Sequence, residues 1–306
     1  TLVREKDWAV NLSGDKLIYD DNVIIENMSL NQLGSYGESS YVIDWENSDS
    51  IKFDGDLKGS VNMNQSSLKV LLDEGQFYFA DTLWSFKDSS FFDYFKGKIN
   101  TQLSIGTISQ DVNFSFVSHD IIDTINLSLN HFEMSNFSPW LSKINSSLKG
   151  TLNGDILVLS DSLNNKFYSD IITSSLKLND SDFGALNISS EYDNIKDIQL
   201  IQGQSIKDNK KAIEFRGIYN SLVDSNNMNV LFNINDFNLN HINTYLPFLD
   251  PLNGFVNGNL NIYGNMNKPK FEGELIAEDV YLTVPYLNVD FKTIGESKIH
   301  LNNDII

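Results

Sequence analysis

Cysteine is absent from the 306-residue sequence, which excludes disulfide cross-links, zinc–thiolate sites and thiol catalysis. Cationic residues are scarce: 22 Lys and Arg stand against 41 Asp and Glu, so the formal net charge is −19. Because a field of this sign repels phosphate backbones, nucleic acid is not expected as a partner. The four histidines lie far apart, without H-x-x-x-H or H-x-H spacing. We therefore predict no metal site, no cofactor and no catalytic residue.

Long apolar runs are also missing. No run of about eighteen apolar residues occurs, and the first seven residues lack the apolar core of a signal peptide. We expect any targeting segment or membrane anchor to lie outside these residues. The sequence stops on the apolar pair Ile305-Ile306, so we expect it to be a fragment of a longer protein. With 41% hydrophobic and 12% aromatic residues, it still has enough apolar surface to fold.

Apolar and polar residues alternate along most of the sequence. Alternation with a period of two predicts half-buried β-strands, and the intervening Gly, Asn, Asp and Ser predict turns. At about 12 residues for each strand and turn, the chain would hold roughly 25 strands. One short helix is expected at Ser138–Ile144, because Ser138 can cap it and Pro139 fits its first turn. The clearest alternating runs are Val112/Phe114/Phe116, Ile125/Leu127/Leu129, Met228/Val230/Phe232/Ile234 and Leu260/Ile262.

A long internal repeat links two parts of the sequence. Asn130, Phe132, Phe137, Trp140, Leu141 and Ile144 recur 105 positions later as Asn235, Phe237, Ile242, Tyr245, Leu246 and Leu249. The run Leu148–Ile156 recurs 104 positions later as Leu252–Leu260, and both runs contain Gly-x-x-x-Gly. Each copy predicts a strand, a short apolar turn or helix, and a glycine-bearing strand. A repeat of this length is typical of arrays that grow by adding units.

The end of the sequence brings these features together: LNGFVNGNLNIYG at 252–264 precedes KPKFEGEL at 268–275, VYLTVPYLNVDF at 280–291 and apolar residues at 299, 301, 305 and 306. This order of a Gly-x-x-x-Gly strand, a proline, a glycine and final strands resembles the C-terminal domain of the TamB family of AsmA-like envelope proteins. The resemblance is carried by residues 228–306 and reaches back to residue 127 through the repeat.

The resemblance implies an all-β fold. We expect an elongated antiparallel or mixed sheet that curls into a U, a β-taco, with an apolar concave groove and very few short helices. Residues 1–110 would form a first region of AsmA/TamB-like β-repeats, residues 111–227 a further repeat, and residues 228–306 the C-terminal signature region. These three regions would belong to one continuous sheet and would not be independent domains.

The resemblance also implies a function without catalysis. The chain would be a hydrophobic conduit in the periplasm of a diderm bacterium, carrying phospholipids between the inner and outer membranes and linked to outer-membrane protein assembly and secretion. Its implied partners are phospholipid acyl chains, an outer-membrane barrel of the TamA or BamA type at the C-terminal end, and the inner membrane through an N-terminal anchor outside this segment.

Only every second residue of a strand can face such a groove. Pro285 is expected to change the parity through a bulge, so that Leu287, Val289 and Phe291 face inward after it. The predicted groove residues are Val230, Phe232, Ile234, Leu260, Ile262, Phe271, Leu275, Val280, Leu282, Val284, Leu287, Val289 and Phe291. For each of them an ordinary core position is the alternative interpretation.

A different class of function is also compatible with strands rich in Asn and Gly. The chain could be a cell-surface β-solenoid or adhesin-like protein that binds glycans or proteins through its polar face. That interpretation predicts a tight period of about 20 residues, whereas the sequence repeats at about 105. A polysaccharide-cleaving solenoid would need clustered Asp, Arg or Lys on one face. Acidic pairs such as Asp54/Asp56, Asp20/Asp21 and Asp180/Asp182 lie outside any D-x-D-x-D-G loop and are interpreted as solvated turn residues.

Overall fold

The computed structural model of the chain describes residues 7–302 except 20–22, 36, 47–53, 80, 88–89, 138–140, 142–145, 163–164, 180, 194, 197, 221–222, 224–226, 246–247, 249–250 and 294. These residues form twenty strands and three short 3₁₀ helices. The strands are β1 Trp8–Tyr19, β2 Val23–Ser35, β3 Glu38–Glu46, β4 Gly55–Met63, β5 Ser67–Phe79, β6 Thr82–Phe86, β7 Ser90–Phe95, β8 Lys98–Gly106, β9 Asp111–Val117, β10 Asp123–Glu133, β11 Leu148–Ser160, β12 Asn165–Leu178, β13 Ser181–Asp193, β14 Ile198–Lys207, β15 Lys210–Tyr219, β16 Met228–Asn238, β17 Leu252–Asn265, β18 Lys268–Val284, β19 Val289–Lys292 and β20 Ser297–Leu301. The helices are η1 Met134–Phe137, η2 Leu239–Tyr245 and η3 Pro285–Leu287.

The strands form one large antiparallel sheet, which confirms the predicted all-β class with very few short helices. Short turns connect most neighbouring strands, and such connections favour antiparallel pairing of consecutive strands. The described strands number twenty, fewer than the roughly 25 estimated from about 12 residues each. Several are longer than assumed, up to the 17 residues of β18. Most of the helix expected at Ser138–Ile144 lies outside the described residues.

The chain divides into two compact units. The first comprises residues 1–145 and 153–163, and the second comprises residues 146–152 and 164–306. In the first unit, β1 to β5 pair in sequence order. One half of β5 then pairs with β7 and the other half with β6, and β8 pairs with both before β9 and β10 follow. The three regions predicted from the sequence stay a prediction.

The second unit has the simpler order. Strands β12 to β18 pair consecutively. Strand β18 then pairs with β20 in its middle and with β19 at its end. Its buried core is a small cluster of Leu252, Val256, Ala277 and Val280 at that same end of the strands. Leu239 of η2 packs against this cluster, so the helix covers the end of the sheet face.

The repeat found in the sequence is also a structural repeat. Strand β10, helix η1 and strand β11 correspond to strand β16, helix η2 and strand β17. In each copy the first strand carries a residue with positive φ, His131 at 51° and Asp236 at 52°. The backbone N–H of each donates to an asparagine side chain on the next strand, Asn153 Oδ1 at 2.8 Å and Asn257 Oδ1 at 2.7 Å. The repeated asparagine thus holds a repeated irregularity of the strand.

The second glycine of the Gly-x-x-x-Gly motif is required by both conformation and space. Gly258 has φ of +140°, a region that L residues rarely adopt. A Cβ at this position would collide with the backbone carbonyl oxygen of Glu274 on β18. The equivalent residue of the first copy, Gly154, has φ of +152°. These glycines are therefore structural features of the repeated unit.

Candidate functional site: the apolar face of the sheet

Cross-strand pairing places seven predicted groove residues on one face of the second unit. Residues directly opposite each other in paired strands point to the same side of a sheet. Pairing from strand to strand defines three parallel rows on this face, which contain Val230, Phe232, Ile234, Leu260, Ile262, Phe271 and Leu275. The rows are Thr173–Leu186–Ser205–Ile213–Ile234–Gly258–Leu275–Ile299, Ile171–Ile188–Gly203–Phe215–Phe232–Leu260–Gly273–Leu301 and Ser169–Ser190–Ile201–Gly217–Val230–Ile262–Phe271.

The side chains in the middle of this face keep part of their surface accessible. Val230, Phe232, Leu260 and Ile262 are half-buried, and Phe271 is 40% exposed. A leucine or phenylalanine sealed between two sheets would be almost fully buried. The accessible apolar surface is therefore available to a ligand that can cover it.

Three further predicted residues join this face because the strand changes parity. Asp279 has φ of +50°, and the pairing of β17 with β18 shifts at this point. The shift lets Val280 and Leu282 lie with Leu275 in the buried cluster around Leu252. Val284, one strand period further on, is half-buried. Val280 and Leu282 thus belong to the covered end of the face.

The change of parity expected at Pro285 takes a different form. Pro285 begins the 3₁₀ helix η3, and Asn288 after it adopts the left-handed conformation, so that the chain reverses. Strand β19 then pairs back onto β18, with Val289 opposite Val284 and Phe291 opposite Leu282. Phe291 thus shares the face of Leu282 through a reversal of the chain and not through the expected bulge, and its place in a groove stays a prediction. Leu287 lies in the helical turn and is 61% exposed.

Sequence reasoning missed several members of the face in the second unit. Phe215 lies opposite Phe232 on the neighbouring strand, with ring centroids 5.5 Å apart. Ile213 lies opposite Ile234 in the same pair of strands. The alternation of Ile213, Phe215 and Gly217 was the signal in the sequence, but glycine at the third position shortened the apolar run.

The first unit presents an apolar face of its own, which was not predicted as a site. Leu12 and Leu30 lie opposite each other on it, and Leu12 is 59% exposed. Tyr41 on the same face donates from its hydroxyl to the carbonyl of Leu71 at 2.9 Å. Burial, together with the carboxylate of Asp73, raises the pKa of Tyr41. The longest row of this apolar face is Trp8–Gly34–Ser39–Val61–Val70–Phe92–Thr101–Phe116–Ile125.

The opposite face of the second unit carries polar residues together with exposed apolar side chains such as Ile172 and Leu231. A ladder of polar residues crosses it from β13 to β20, and a shallow cavity of about 570 Å³ lies over part of it. Arg216 lines this cavity together with Asp170 and Glu214. The ladder is Asn187–Gln204–Glu214–Asn233–Asn259–Glu274–His300. This ladder consists of polar side chains, in contrast to the three rows of the other face.

Groups suited to metal binding are not assembled in the described part of the chain. No set of three or more His, Asp or Glu side chains there could hold a metal ion. His119 and His131 are exposed, and His300 Nδ1 lies 3.4 Å from Glu274 Oε1 at the surface. His241 is half-buried between aromatic rings.

Comparison with known proteins identifies the family. Residues 4–276 match the family model described as TamB, N-terminal domain. The chain belongs to the TamB family. This is a family of non-enzymatic transport and assembly components that span the periplasm from the inner membrane and act with TamA in the translocation and assembly module. No curated protein and no solved structure matches the chain significantly. Among the described residues, no helix has the length and apolarity needed to cross a bilayer.

The match corrects one prediction. The sequence was assigned to the C-terminal domain of a TamB protein, whereas the matching domain is the N-terminal one. The assignment rested on the Gly-x-x-x-Gly strand at Gly254 and Gly258. That motif also occurs at Gly150 and Gly154, in the first copy of the repeat, with similar positive φ values. It marks the repeated unit of the sheet and not the end of the protein.

Proposed function

We propose that this chain shields phospholipid acyl chains from water on the apolar faces of its sheet, as part of lipid transport between the inner and outer membranes. The observation that supports the proposal most directly is the set of three rows in the second unit, where half-buried apolar side chains continue across neighbouring strands. Strands stack at about 4.8 Å, so such rows offer a continuous apolar path across the strands.

The energetics favour a continuous surface. Exposing a CH₂ group to water costs about 0.8 kcal/mol, so two acyl chains of about sixteen carbons cost on the order of 25 kcal/mol. Contact with a single side chain removes only a small part of this cost. Rows that include Phe215, Phe232 and Leu260 on adjacent strands can cover many methylenes at once. The polar head group would stay in solvent.

The same proposal assigns partners and location. As a TamB-family chain, it would act in the periplasm of a diderm bacterium, with an anchor in the inner membrane outside this segment. A TamA-type or BamA-type barrel would be its outer-membrane partner, which would link it to outer-membrane protein assembly and secretion. Because the match is to the N-terminal domain, we propose that this segment serves the inner-membrane side of the path.

Site-specific photo-crosslinking tests the proposal directly. Leu260 and Asn259 are adjacent on β17 but face opposite sides of the sheet. A photoreactive amino acid at position 260 should crosslink phospholipid in the bacterial envelope, whereas the same residue at position 259 should not. Equal lipid crosslinking at both positions would indicate nonspecific contact with membrane, and crosslinking at neither would contradict the proposal.

A charge at the same two positions gives a second test. An arginine in an apolar lipid environment costs about 2.5–3.5 kcal/mol, which corresponds to roughly 100-fold weaker binding. Leu260→Arg should therefore lose most co-purifying phospholipid in native mass spectrometry after purification from the envelope. Asn259→Arg adds the same charge on the polar face and should retain lipid. Circular dichroism of both variants checks that the sheet is intact.

A glycan-binding function would use the other side. The cavity of about 570 Å³ over the polar ladder is the feature that favours it. Soluble glycan oligosaccharides titrated against the chain should then perturb Asn233 and Asn259 and leave lipid binding unaffected.

A further inference from the structure

The two copies of the repeat hold their 3₁₀ helices by different chemistry. Helix η1 follows β10 and helix η2 follows β16, at equivalent positions 105 residues apart. In this alignment Phe132 corresponds to Phe237, and Asn136 corresponds to His241. One copy therefore has an asparagine where the other has a titratable ring.

In the first unit, Asn136 fixes η1 through hydrogen bonds that do not depend on pH. Asn136 is only 2% exposed, and its Nδ2 donates to Gln110 Oε1 at 2.8 Å. The same Gln110 oxygen accepts the backbone N–H of Glu133 at 2.9 Å. The ring of Phe132 beside it lies 6.0 Å from the ring of Trp84 on β6, centroid to centroid. The helix is thus attached to β6 and to the β8–β9 turn.

In the second unit, His241 fixes η2 through ring contacts. Its imidazole lies 5.3 Å from the Phe183 ring on β13 and 5.8 Å from the Phe237 ring on β16. The two phenylalanine rings lie 6.5 Å apart, although β14 and β15 separate their strands. The hydroxyl of Ser181 also donates to the backbone carbonyl of His241 at 3.2 Å. Helix η2 therefore lies as a strap between β13 and β17 at the end of the apolar face.

The charges around His241 come from several elements. Nζ of Lys207 on β14 lies 3.4 Å from His241 Nε2 and donates to the carbonyl of Asp182 at 3.0 Å. A cavity of about 230 Å³ beside the ring is lined by Lys207 and Asp182, by Lys210 on β15, and by Asp208 and Asp236. Lys210 Nζ pairs with Asp236 Oδ2 at 3.7 Å. The cation nearest to the imidazole is therefore Lys207, and Nε2 of the neutral imidazole can accept a hydrogen bond from its ammonium group.

We propose that helix η2 is a strap that protonation releases. When His241 is protonated, η2 detaches from Phe183 and Lys207, and the apolar end of the second unit opens. A protonated imidazole has no acceptor to offer Lys207, places a second cation beside it and brings a charge between aromatic rings that are partly shielded from water. Each change weakens the attachment of η2 to β13. The first unit lacks the device, because Asn136 cannot take up a proton in this range.

The direction of the pH dependence follows from linkage. Burial, and then the charge of Lys207, lowers the pKa of His241, while Asp182 acts in the opposite direction. A group whose pKa is lowered in the attached state binds fewer protons there than in the released state. Attachment is therefore fully favourable above the ordinary histidine pKa of about 6.5 and weakens as the pH falls below it.

Hydrogen exchange of the whole chain, followed by mass spectrometry at about pH 7.5 and about pH 5, tests the proposal on both sides of the ordinary histidine pKa. After correction for intrinsic exchange rates, peptides over 239–245 should lose protection at the lower pH. The loss should be about tenfold for each unit by which the pKa of His241 in the attached helix lies below its pKa in the released helix. Peptides over 134–137 should keep theirs. This internal reference separates strap release from general acid loosening of the sheet.

Three variants sharpen the test. His241→Asn gives η2 the chemistry of η1, and His241→Phe keeps a ring against Phe183 that cannot be protonated, so both should abolish the pH response. Lys207→Met removes the nearest cation and should reduce it. The proposal fails if η2 loses no more protection than η1 in the unmodified chain, or if His241→Phe responds as the unmodified chain does. No lipid enters this experiment, so its outcome is independent of the proposed transport function.

Discussion

Two leucines on one strand distinguish an open apolar face from a sealed core. Leu252 and Leu260 both lie on β17 and on the same face, but Leu252 is 4% exposed within the cluster of Val256, Ala277 and Val280. Leu260 is half-buried and stands between Phe232 and Gly273. The same change to alanine at each position removes the same three carbons from two different environments.

The expected costs differ because only one site leaves a cavity. At about 0.8 kcal/mol for each buried carbon, Leu252→Ala loses about 2.4 kcal/mol of transfer free energy. The unfilled space adds to this loss, so about 3 kcal/mol in total is expected. For Leu260→Ala about two thirds of the transfer term applies, because part of the side chain is already accessible and no closed cavity forms. A cost of about 1.6 kcal/mol follows.

Urea unfolding of delipidated protein, followed by far-ultraviolet circular dichroism, measures both costs in one transition because both residues lie in the second unit. The free energy of unfolding should fall about twice as much for Leu252→Ala as for Leu260→Ala, with unchanged denaturant dependence. Equal losses near 3 kcal/mol would mean that the face is closed around Leu260, and the proposed lipid surface would then be an ordinary core.

Three other predictions concern local structure. Asn153→Ala and Asn257→Ala should each lower the free energy of unfolding by about 1 kcal/mol, since each leaves the backbone N–H of His131 or Asp236 without its protein acceptor; thermal unfolding unaffected by either would show that water replaces the amide fully. Gly258→Ala should cost at least about 2 kcal/mol because of its positive φ and the nearby Glu274 carbonyl. Gly14→Ala, with only Met28 Cε at 3.8 Å, is the matched control and should be nearly neutral. The hydrogen bond and charge of Lys87 lower the pKa of Asp111, so this pair adds stability above the ordinary Asp pKa and loses it as the pH falls through the lowered value. Lys87→Met should return the Asp111 pKa toward its ordinary value in a carboxyl NMR titration, and an unchanged pKa would assign the effect to other groups.

Much of the face could be predicted from alternation alone. Val230, Phe232 and Ile234 are placed correctly on one side because side chains in a regular strand alternate without exception. The same rule fails at Asp236 and Asp279, where one extra residue in the strand exchanges the two sides. Neither position carries a glycine or proline that would announce an irregular backbone. Only the pairing of β16, β17 and β18 shows that Phe237 and Val280 return to the apolar side.

The sequence by itself determined the class of fold, the family and the repeat. Period-two alternation, turn residues and a repeat spacing of about 105 can all be read from the order of residues along the chain. Tertiary structure decided which apolar residues are covered and which stay accessible, because coverage depends on what lies above the sheet. Leu252 and Leu260 look alike in sequence but differ in burial, because Leu239 of η2 and Leu282 of β18 pack against the cluster around Leu252. His241 likewise owes its role to Phe183 and Lys207, which no local pattern places beside it.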